Sequence, residues 1–324
     1  MGRGVWLDPA RSGVTLCEYS EAWLAERTVR GRPLAVRTRE TYRHSLDRWI
    51  LPALGDLPLD RITPAAVRRW QAQTSAATGP TATRQAYALL HSVLATAVSD
   101  DALMRNPCRI TGAGQARSAE RPLLDLEQVQ RLTANMPAHL RGLVGLAFWG
   151  HLRSGELLAL RVGDVAPDAG TLTVARQIVE TDSGPVEGPP KTGSHRTVHL
   201  PPQGIDALAE QLRLRGPALP SARLLTRQDG SPLRAHHVHA AWTPARTAAS
   251  LPEVHLHDLR HAGLTLAAQS GATLAEVMRR AGHSSSRAAM IYQHAAERRD
   301  AVYQHAAARL GRLAAGTMPN ATGT

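Results

Sequence analysis

Apolar residues recur at helical spacing along the first hundred positions. Leu16, Tyr19, Trp23 and Leu24 form a stripe running to about Arg27, the 3.6-residue period of a helix that buries one face. Thr15-Leu16-Cys17-Glu18 opens it with a capping box, in which threonine and a glutamate three residues on satisfy each other's free backbone donors. Residues 28–36 lose the period and read as a basic loop containing Arg30, Arg32 and Pro33. Tyr42, Leu46, Trp49 and Ile50 predict a second helix over 38–51, stopped by Pro52. Thr63-Pro64 is an N-cap followed by proline at the first helical position, so a third helix covers 64–73. A fourth spans 81–98 with Tyr87, Leu90 and Leu94 on one face, and Asn106-Pro107 closes the unit.

Residues 111–122 are rich in Gly, Ala and Ser and read as a linker. Asp125-Leu126-Glu127-Gln128 repeats the capping pattern, and helices are predicted over 125–134 and 138–149. The period then switches to two. Residues 171–174 and 177–179 alternate as strands, 183–190 form a Gly/Pro loop, and 197–200 return as a strand. Helices are expected again over 202–215, 235–249, 273–280 and 297–311, with a short segment at 224–226. The fold class is mainly α with a small antiparallel β-sheet. The chain divides into a tail (1–13), a helical domain (14–110), the linker, an α+β domain (123–311) and a flexible C-terminal tail (312–324).

The length of 324 residues suits two such domains, and an apolar content of 43% supports ordinary cores. Aromatics are only 4%, so Leu, Ala and Val must fill those cores. Cys17 and Cys108 are too few for a disulfide framework and read as reduced thiols of a cytoplasmic protein. No apolar run approaches the ~20 residues that span a bilayer. The net charge of +11 is spread over both parts: residues 1–112 carry 15 basic against 10 acidic side chains, and the remainder 23 against 17. Two basic lobes suit a grip on a polyanion. There are 37 arginines and one lysine, Lys191. Arginine hardly ever gives up its proton, whereas lysine can act as an acid, which singles out Lys191 as a proton donor.

The densest chemistry lies near the C-terminus. His257, Arg260, His283 and Tyr292 follow one another at intervals of 3, 23 and 9 residues. His257 and Arg260 share a helix face. Gly282-His283 reads as a turn after the helix at 273–280, and Tyr292 lies about two turns further on. Arginine offers planar paired donors to phosphate oxygens. A phenol of pKa ~10 is a poor nucleophile unless cations surround it. The group suits a tyrosine facing a phosphodiester.

These residues resemble the C-terminal boxes of the tyrosine recombinase (phage integrase) family: H-x-x-R, then G-H about two dozen residues on, then Y nine residues later. His151-Leu152-Arg153-Ser154-Gly155-Glu156 resembles that family's first arginine box, with His151 where glycine is usual. Lys191, Thr192, Arg196, Val198 and Leu200 match its β-hairpin lysine motif, and "LPALGDLPLDRIT" and "RNP" are similar to its helical DNA-binding domain. Val5 to Pro9 is similar to the end of an arm-binding domain, which leaves open whether the rest of one is absent or precedes the chain.

The resemblance implies a site-specific recombinase that integrates or excises a phage or mobile element. Tyr292 would form a 3′-phosphotyrosyl ester. Arg153 and Arg260 would clamp the phosphate, with Glu156 orienting Arg153. His257 would accept or relay the phenolic proton, Lys191 would protonate the leaving 5′ oxygen, and His283 would donate to the phosphate. Arg32, Arg37, Arg39, Arg43 and Arg84 are contact candidates in the helical domain. Partners would be double-stranded attachment sites, three further copies in a tetramer on DNA, and an excisionase or DNA-bending host protein. No membrane, metal or cofactor is expected, and the location would be cytoplasmic and nucleoid-associated.

Other chemistries compete. His257 and His261 stand four apart, as zinc ligands do, with Asp258 in place of a glutamate base. Aspartate is one carbon short, no third ligand motif follows, and Arg260 would sit beside the metal. His255 and His261 are therefore read as packing or surface residues. Lys191-Thr192-Gly193 matches the K-T-G of serine β-lactamases, whose S-x-x-K needs a second lysine that this chain lacks. A type IB-like topoisomerase and a catalytically silent DNA-binding protein remain as alternatives. Tyr303 is the rival nucleophile, because Tyr-Gln-His-Ala-Ala occurs at 292 and again at 303.

Overall fold

The computed structural model describes residues 13–115, 122–191, 194–282, 290 and 292. The chain forms two compact units, one comprising Met1–Glu120 with Thr181–Ser183 and the other the remainder. The sequence readings at 1–12, 283–289 and 293–324 lie outside the described residues. Among them are His283, Tyr303, the helix at 297–311 and the C-terminal tail.

In the first unit, helix α1 (Leu16–Glu26) begins with both halves of its capping box formed: Glu18 N–H donates to the Thr15 hydroxyl at 3.2 Å and Thr15 N–H donates to the Glu18 carboxylate at 2.9 Å. The basic stretch expected as a loop is a minimal hairpin, β1 (Thr28–Val29) and β2 (Arg32–Pro33). Arg30 (φ +52°) and Gly31 (φ +71°) supply the two positive φ angles that such a turn demands. Two residues per strand are too few to show a period.

Pro52 does not end the second helix. Helix α2 (Val36–Ser45) passes through a π-turn at Leu46–Ile50 into α3 (Leu51–Leu54), which carries Pro52 in its first turn. The π-turn shifts the hydrogen-bond register, and proline's missing N–H falls where a new helical start leaves donors unpaired. Thr63 caps α4 (Pro64–Ala77), and α5 (Pro80–Ser99) completes the unit. Leu16, Leu46, Ile50, Val67, Leu90 and Leu94 form its core with Trp70 and Tyr87, whose rings stack at 6.5 Å. Trp70 Nε1–H donates to the Trp49 carbonyl at 2.6 Å, so the indole buries without an orphaned donor.

The second unit is built around α7 (Arg141–Trp149), buried on nearly every side. Asp125 caps α6 (Leu126–Asn135) ahead of it, and the short α8 (Ser154–Ala159) follows. Strands β3 (Val165–Ala166), β4 (Thr171–Val174) and β7 (Arg196–His199) make an antiparallel sheet in the order β3-β4-β7, with Leu172 opposite Val198 and Val174 opposite Arg196. Between β4 and β7 run β5 (Gln177–Thr181) and β6 (Gly184–Gly188), a separate antiparallel pair. The Gly/Pro loop expected at 183–190 is thus mostly a strand. Pro185 is tolerated because a two-stranded ribbon has a free edge.

Helices α9 (Pro202–Arg215), α10 (Ala235–Ala248), α11 (Leu256–Gln269) and α12 (Leu274–Ala281) close the unit. α7 packs closely on α9 and α11: a Cβ on Gly145 would lie 2.5 Å from the Ala207 side chain, and one on Gly263 would lie 2.0 Å from the Phe148 carbonyl. Among the described residues no helix is long and apolar enough to cross a membrane.

Candidate active site

A buried carboxylate anchors the candidate site. Glu156, in the first turn of α8, is 1% exposed. It accepts Arg153 N–H at 2.8 Å, Arg153 Nη1 at 2.8 Å, and Arg196 Nη1 and Nη2 at 3.1 and 2.9 Å, while Arg260 Nη1 stands 3.9 Å away. Burial alone would raise its pKa. The hydrogen bonds and charges of Arg196, with those of Arg153, outweigh that and hold the carboxyl below its ordinary value. Gly155 is required beside it, because a Cβ there would lie 2.5 Å from the Ile178 carbonyl on β5.

The same three arginines reach one helix end. Arg196 Nε donates to the Arg280 carbonyl at 2.8 Å, Arg260 Nη2 to the Ala281 carbonyl, and Arg153 Nη2 to the Gly282 carbonyl at 3.0 Å. The last carbonyls of a helix lack intrahelical donors and carry the negative end of its dipole, so cations settle there. Gly282 ends α12 in the left-handed conformation, with φ +59°, and a Cβ there would lie 2.6 Å from the Ser194 side chain. Only glycine fits that turn, which leads directly to His283.

Arg260 is 1% exposed, and its Nη1 also donates to the His151 carbonyl. Burial and the nearby charge of Arg153 lower its pKa to about 10. Tyr292 is buried, with its hydroxyl 3.0 Å from His261 Nδ1. Burial raises the phenol's pKa, and the charges of Arg260 and Arg153 oppose the rise. His257 packs edge-on against His261, ring centres 4.6 Å apart. It remains exposed to solvent on one side, but loss of water and the neighbouring His261 and Arg260 lower its pKa to about 4.

Arg153, Glu156, His257, Arg260 and Tyr292, separated by up to 139 residues in sequence, therefore converge. Lys191 does not join them through a side-chain hydrogen bond or ion pair among the described residues. It is exposed after β6, and its carbonyl accepts Ser194 N–H at 3.0 Å. Thr192 and Gly193 lie outside the described residues.

Two members were underrated in the sequence. The sequence reading puts His261 in packing or at the surface; its Nδ1 lies 3.0 Å from the Tyr292 hydroxyl. Its signal was its place beside Arg260 and one turn after His257. Arg196 appeared only as a motif letter, yet it holds Glu156 with two donors. His151, the departure from glycine, takes φ +54°, a conformation that costs a residue with a Cβ roughly 1–2 kcal/mol.

In the first unit, Arg32, Arg37 and Arg39 are exposed, while Arg43 and Arg84 are half-buried. Arg43 is held by both oxygens of Glu21, with Asp47 3.5 Å away, and these acids raise its pKa. Arg37 pairs with Glu40 at 3.4 Å.

Comparison with known proteins agrees over both units. The model of the phage integrase family matches residues 122–299, and that of the phage integrase N-terminal SAM-like domain matches residues 15–74. A putative prophage phiRv2 integrase of Mycobacterium tuberculosis is 39% identical over 289 residues, 88% of this chain and 75% of that protein. An integrase of Mycobacterium phage L5 is 37% identical over 290 residues, 88% of this chain and 76% of that protein. The fold is similar to the Tn1549 transposon integrase solved with transposon right end DNA, at a TM-score of 0.72 and 18% identity over 86% of this chain and 94% of that one. It is also similar to a lambda integrase tetramer bound to a Holliday junction, at a TM-score of 0.64 and 18% identity over 88% and 79%.

Proposed function

The chain belongs to the phage integrase family and is a site-specific DNA recombinase of a phage or mobile element, and from that premise we propose that Tyr292 is its nucleophile. The observation that carries this reading is the surroundings of the phenol: a histidine nitrogen at 3.0 Å, and the charges of Arg260 and Arg153 acting on it.

In this reading the Tyr292 oxygen attacks the phosphorus of a DNA phosphodiester. The P–O5′ bond breaks, and a 3′-phosphotyrosyl ester forms. The phenolic proton passes to His261, with His257 one turn away to relay it, since a neutral imidazole is the proton acceptor available near pH 7. Arg153 and Arg260 stabilise charge growing on the non-bridging oxygens, where donors already fixed in place are worth most. Glu156 keeps both guanidinium groups in position. Lys191 gives its proton to the leaving 5′ oxygen. His283 donates a hydrogen bond to that phosphate. The ester conserves the bond energy, so a second strand's 5′ hydroxyl can displace tyrosine without ATP.

The substrate is double-stranded DNA at attachment sites, exchanged in a tetramer, as the DNA complexes of similar folds support. An excisionase or DNA-bending host protein would set the direction. Arg32, Arg37, Arg39, Arg43 and Arg84 contact the DNA backbone, and the affinity falls steeply with salt as counterions are released. The protein resides with the nucleoid in the cytoplasm.

The test is a covalent trap. On a nicked duplex cut from the DNA that flanks the coding region, the parent should form a protein–DNA adduct stable to denaturant. Tyr292→Phe should form none; an adduct of equal yield would remove Tyr292 from the role. Lys191→Ala should lose cleavage and recover it when a bridging sulfur replaces the 5′ oxygen, because a thiolate leaves without a proton. Failure of that recovery would take the acid role from Lys191.

A further inference from the structure

The turn between α7 and α8 carries a residue that none of these steps uses. His151 is 3% exposed, in the left-handed backbone region. That conformation turns its carbonyl inward, where it accepts from Arg260 Nη1 and lies 3.5 Å from Arg196 Nη2. Its side chain has partners of its own. Nδ1 accepts from Arg280 Nε at 3.2 Å, and the ring hydrogen-bonds the Gly263 backbone. The fit on α11 is close, since a Cβ on Gly263 would lie 2.9 Å from the imidazole Cδ2.

Arg280 is the link to the arginine cluster. Its Nη1 donates to the His199 carbonyl at 3.0 Å and its Nη2 to the Trp149 carbonyl at 3.4 Å, so His151 supplies the remaining acceptor for Nε. The backbone carbonyl of Arg280 takes Arg196 Nε, and the next two carbonyls take Arg260 and Arg153. One residue thus touches both ends of the arrangement, holding two guanidinium groups with its carbonyl and the helix end that seats them with its ring. Glycine would adopt the same φ without strain. The backbone turn alone therefore gives no reason for an imidazole.

We propose that His151 is a positioning residue for DNA cleavage, its Nδ1 fixing Arg280 and thereby the end of α12 on which Arg153, Arg196 and Arg260 are seated. The proposal rests on the reading that these arginines serve cleavage by Tyr292. An acceptor nitrogen exists only on the uncharged ring. A protonated ring would face Arg196 on β7, Arg260 on α11 and Arg280 on α12, with Glu156 on α8 already shared among three arginines. Burial and those charges keep its pKa well below the ordinary histidine value.

His151→Gly and His151→Asn separate the ring from the turn. Both side chains permit a left-handed backbone, but only asparagine places an acceptor oxygen near the position of Nδ1. On the same nicked duplex at saturating protein, His151→Gly should form adduct about tenfold more slowly, since small misplacements of catalytic groups cost that much or more. DNA affinity should change less than twofold, and His151→Asn should recover most of the rate. If the backbone turn alone mattered, glycine would be at least as fast as the parent. That result, or an asparagine variant as slow as glycine, overturns the proposal. If the parent traps no DNA, or Tyr292→Phe traps as much, the reading of the nucleophile fails. Nitrogen NMR of the imidazole then decides the placement alone: an unprotonated Nδ1 with Nε2–H at pH 7 supports it, and a doubly protonated ring overturns it.

Discussion

Arginine serves two different purposes in the two units. In the first, Arg43 lies near the surface, half-buried, and pairs with Glu21 and Asp47, carboxylates that water also reaches. In the second, Arg196 and Arg260 lie almost wholly inside and share Glu156 with Arg153. A pair that water screens adds 0–1 kcal/mol at most, because solvation competes with the contact. A buried cluster sits where solvation is lost, so each partner becomes indispensable to the others. The first unit buries stacked Trp70 and Tyr87 in a leucine core; the second, with a leucine core of its own, also accepts charge into its interior.

The largest break in that contrast should come from Glu156→Gln. Removing the shared carboxylate leaves three guanidinium groups facing one another, at a cost of about 3–5 kcal/mol, and adduct formation should vanish. Hydrogen exchange should quicken in α8 and α12 while α1 and α5 keep their protection. Equal loss of protection in both units would show that the cluster is not local to the second.

An intermediate effect should follow pH. His257 has a pKa of about 4 in the folded protein, against roughly 6.5 when free. Above pH 6.5 the ring is neutral in both states and its contribution is whole. As pH falls from 6.5 towards 4 the unfolded chain takes up the proton first, so stability is lost across that window. His151, shifted the same way, adds to the loss. The drop in urea midpoint between pH 7 and pH 5 should be smaller for His257→Gln than for the parent; an identical drop would show that His257 does not titrate there.

The smallest effect belongs to Arg43→Ala. The folded protein should lose no more than about 1 kcal/mol, read from the urea midpoint. DNA affinity should weaken about equally on all sequences, and its salt dependence should become shallower, if the guanidinium exchanges Glu21 for a phosphate. Unchanged affinity would leave Arg43 a surface pair only.

Much of the scaffold was legible before any coordinates. The caps at Thr15, Thr63 and Asp125 stand where their side-chain chemistry demands, because a cap is local and spans only about four residues. Pro52 misled because its cost depends on whether a free N–H is needed at that point, and the π-turn at Leu46–Ile50 removed the need. Strand β6 was missed because Gly184-Pro185-Val186-Glu187-Gly188 has no strand pattern of its own; its partner β5 makes it a strand. His261 reads as packing or surface once a zinc site is set aside, because its partner Tyr292 lies 31 residues away and no local pattern joins them.

What the residues alone determined is the inventory of chemistry: a phenol downstream of arginines and histidines, a single lysine, and a spacing that resembles one family. These follow from side-chain type and local period, which need no third dimension. What only the folded chain decided is which groups meet in hydrogen bonds and ion pairs. Glu156 joins Arg196 across 40 residues, Arg260 meets His151 across 109, and Arg153 reaches Gly282 across 129. Hydrogen bonds act over about 3 Å, a distance set by how helices and strands pack rather than by their order along the chain.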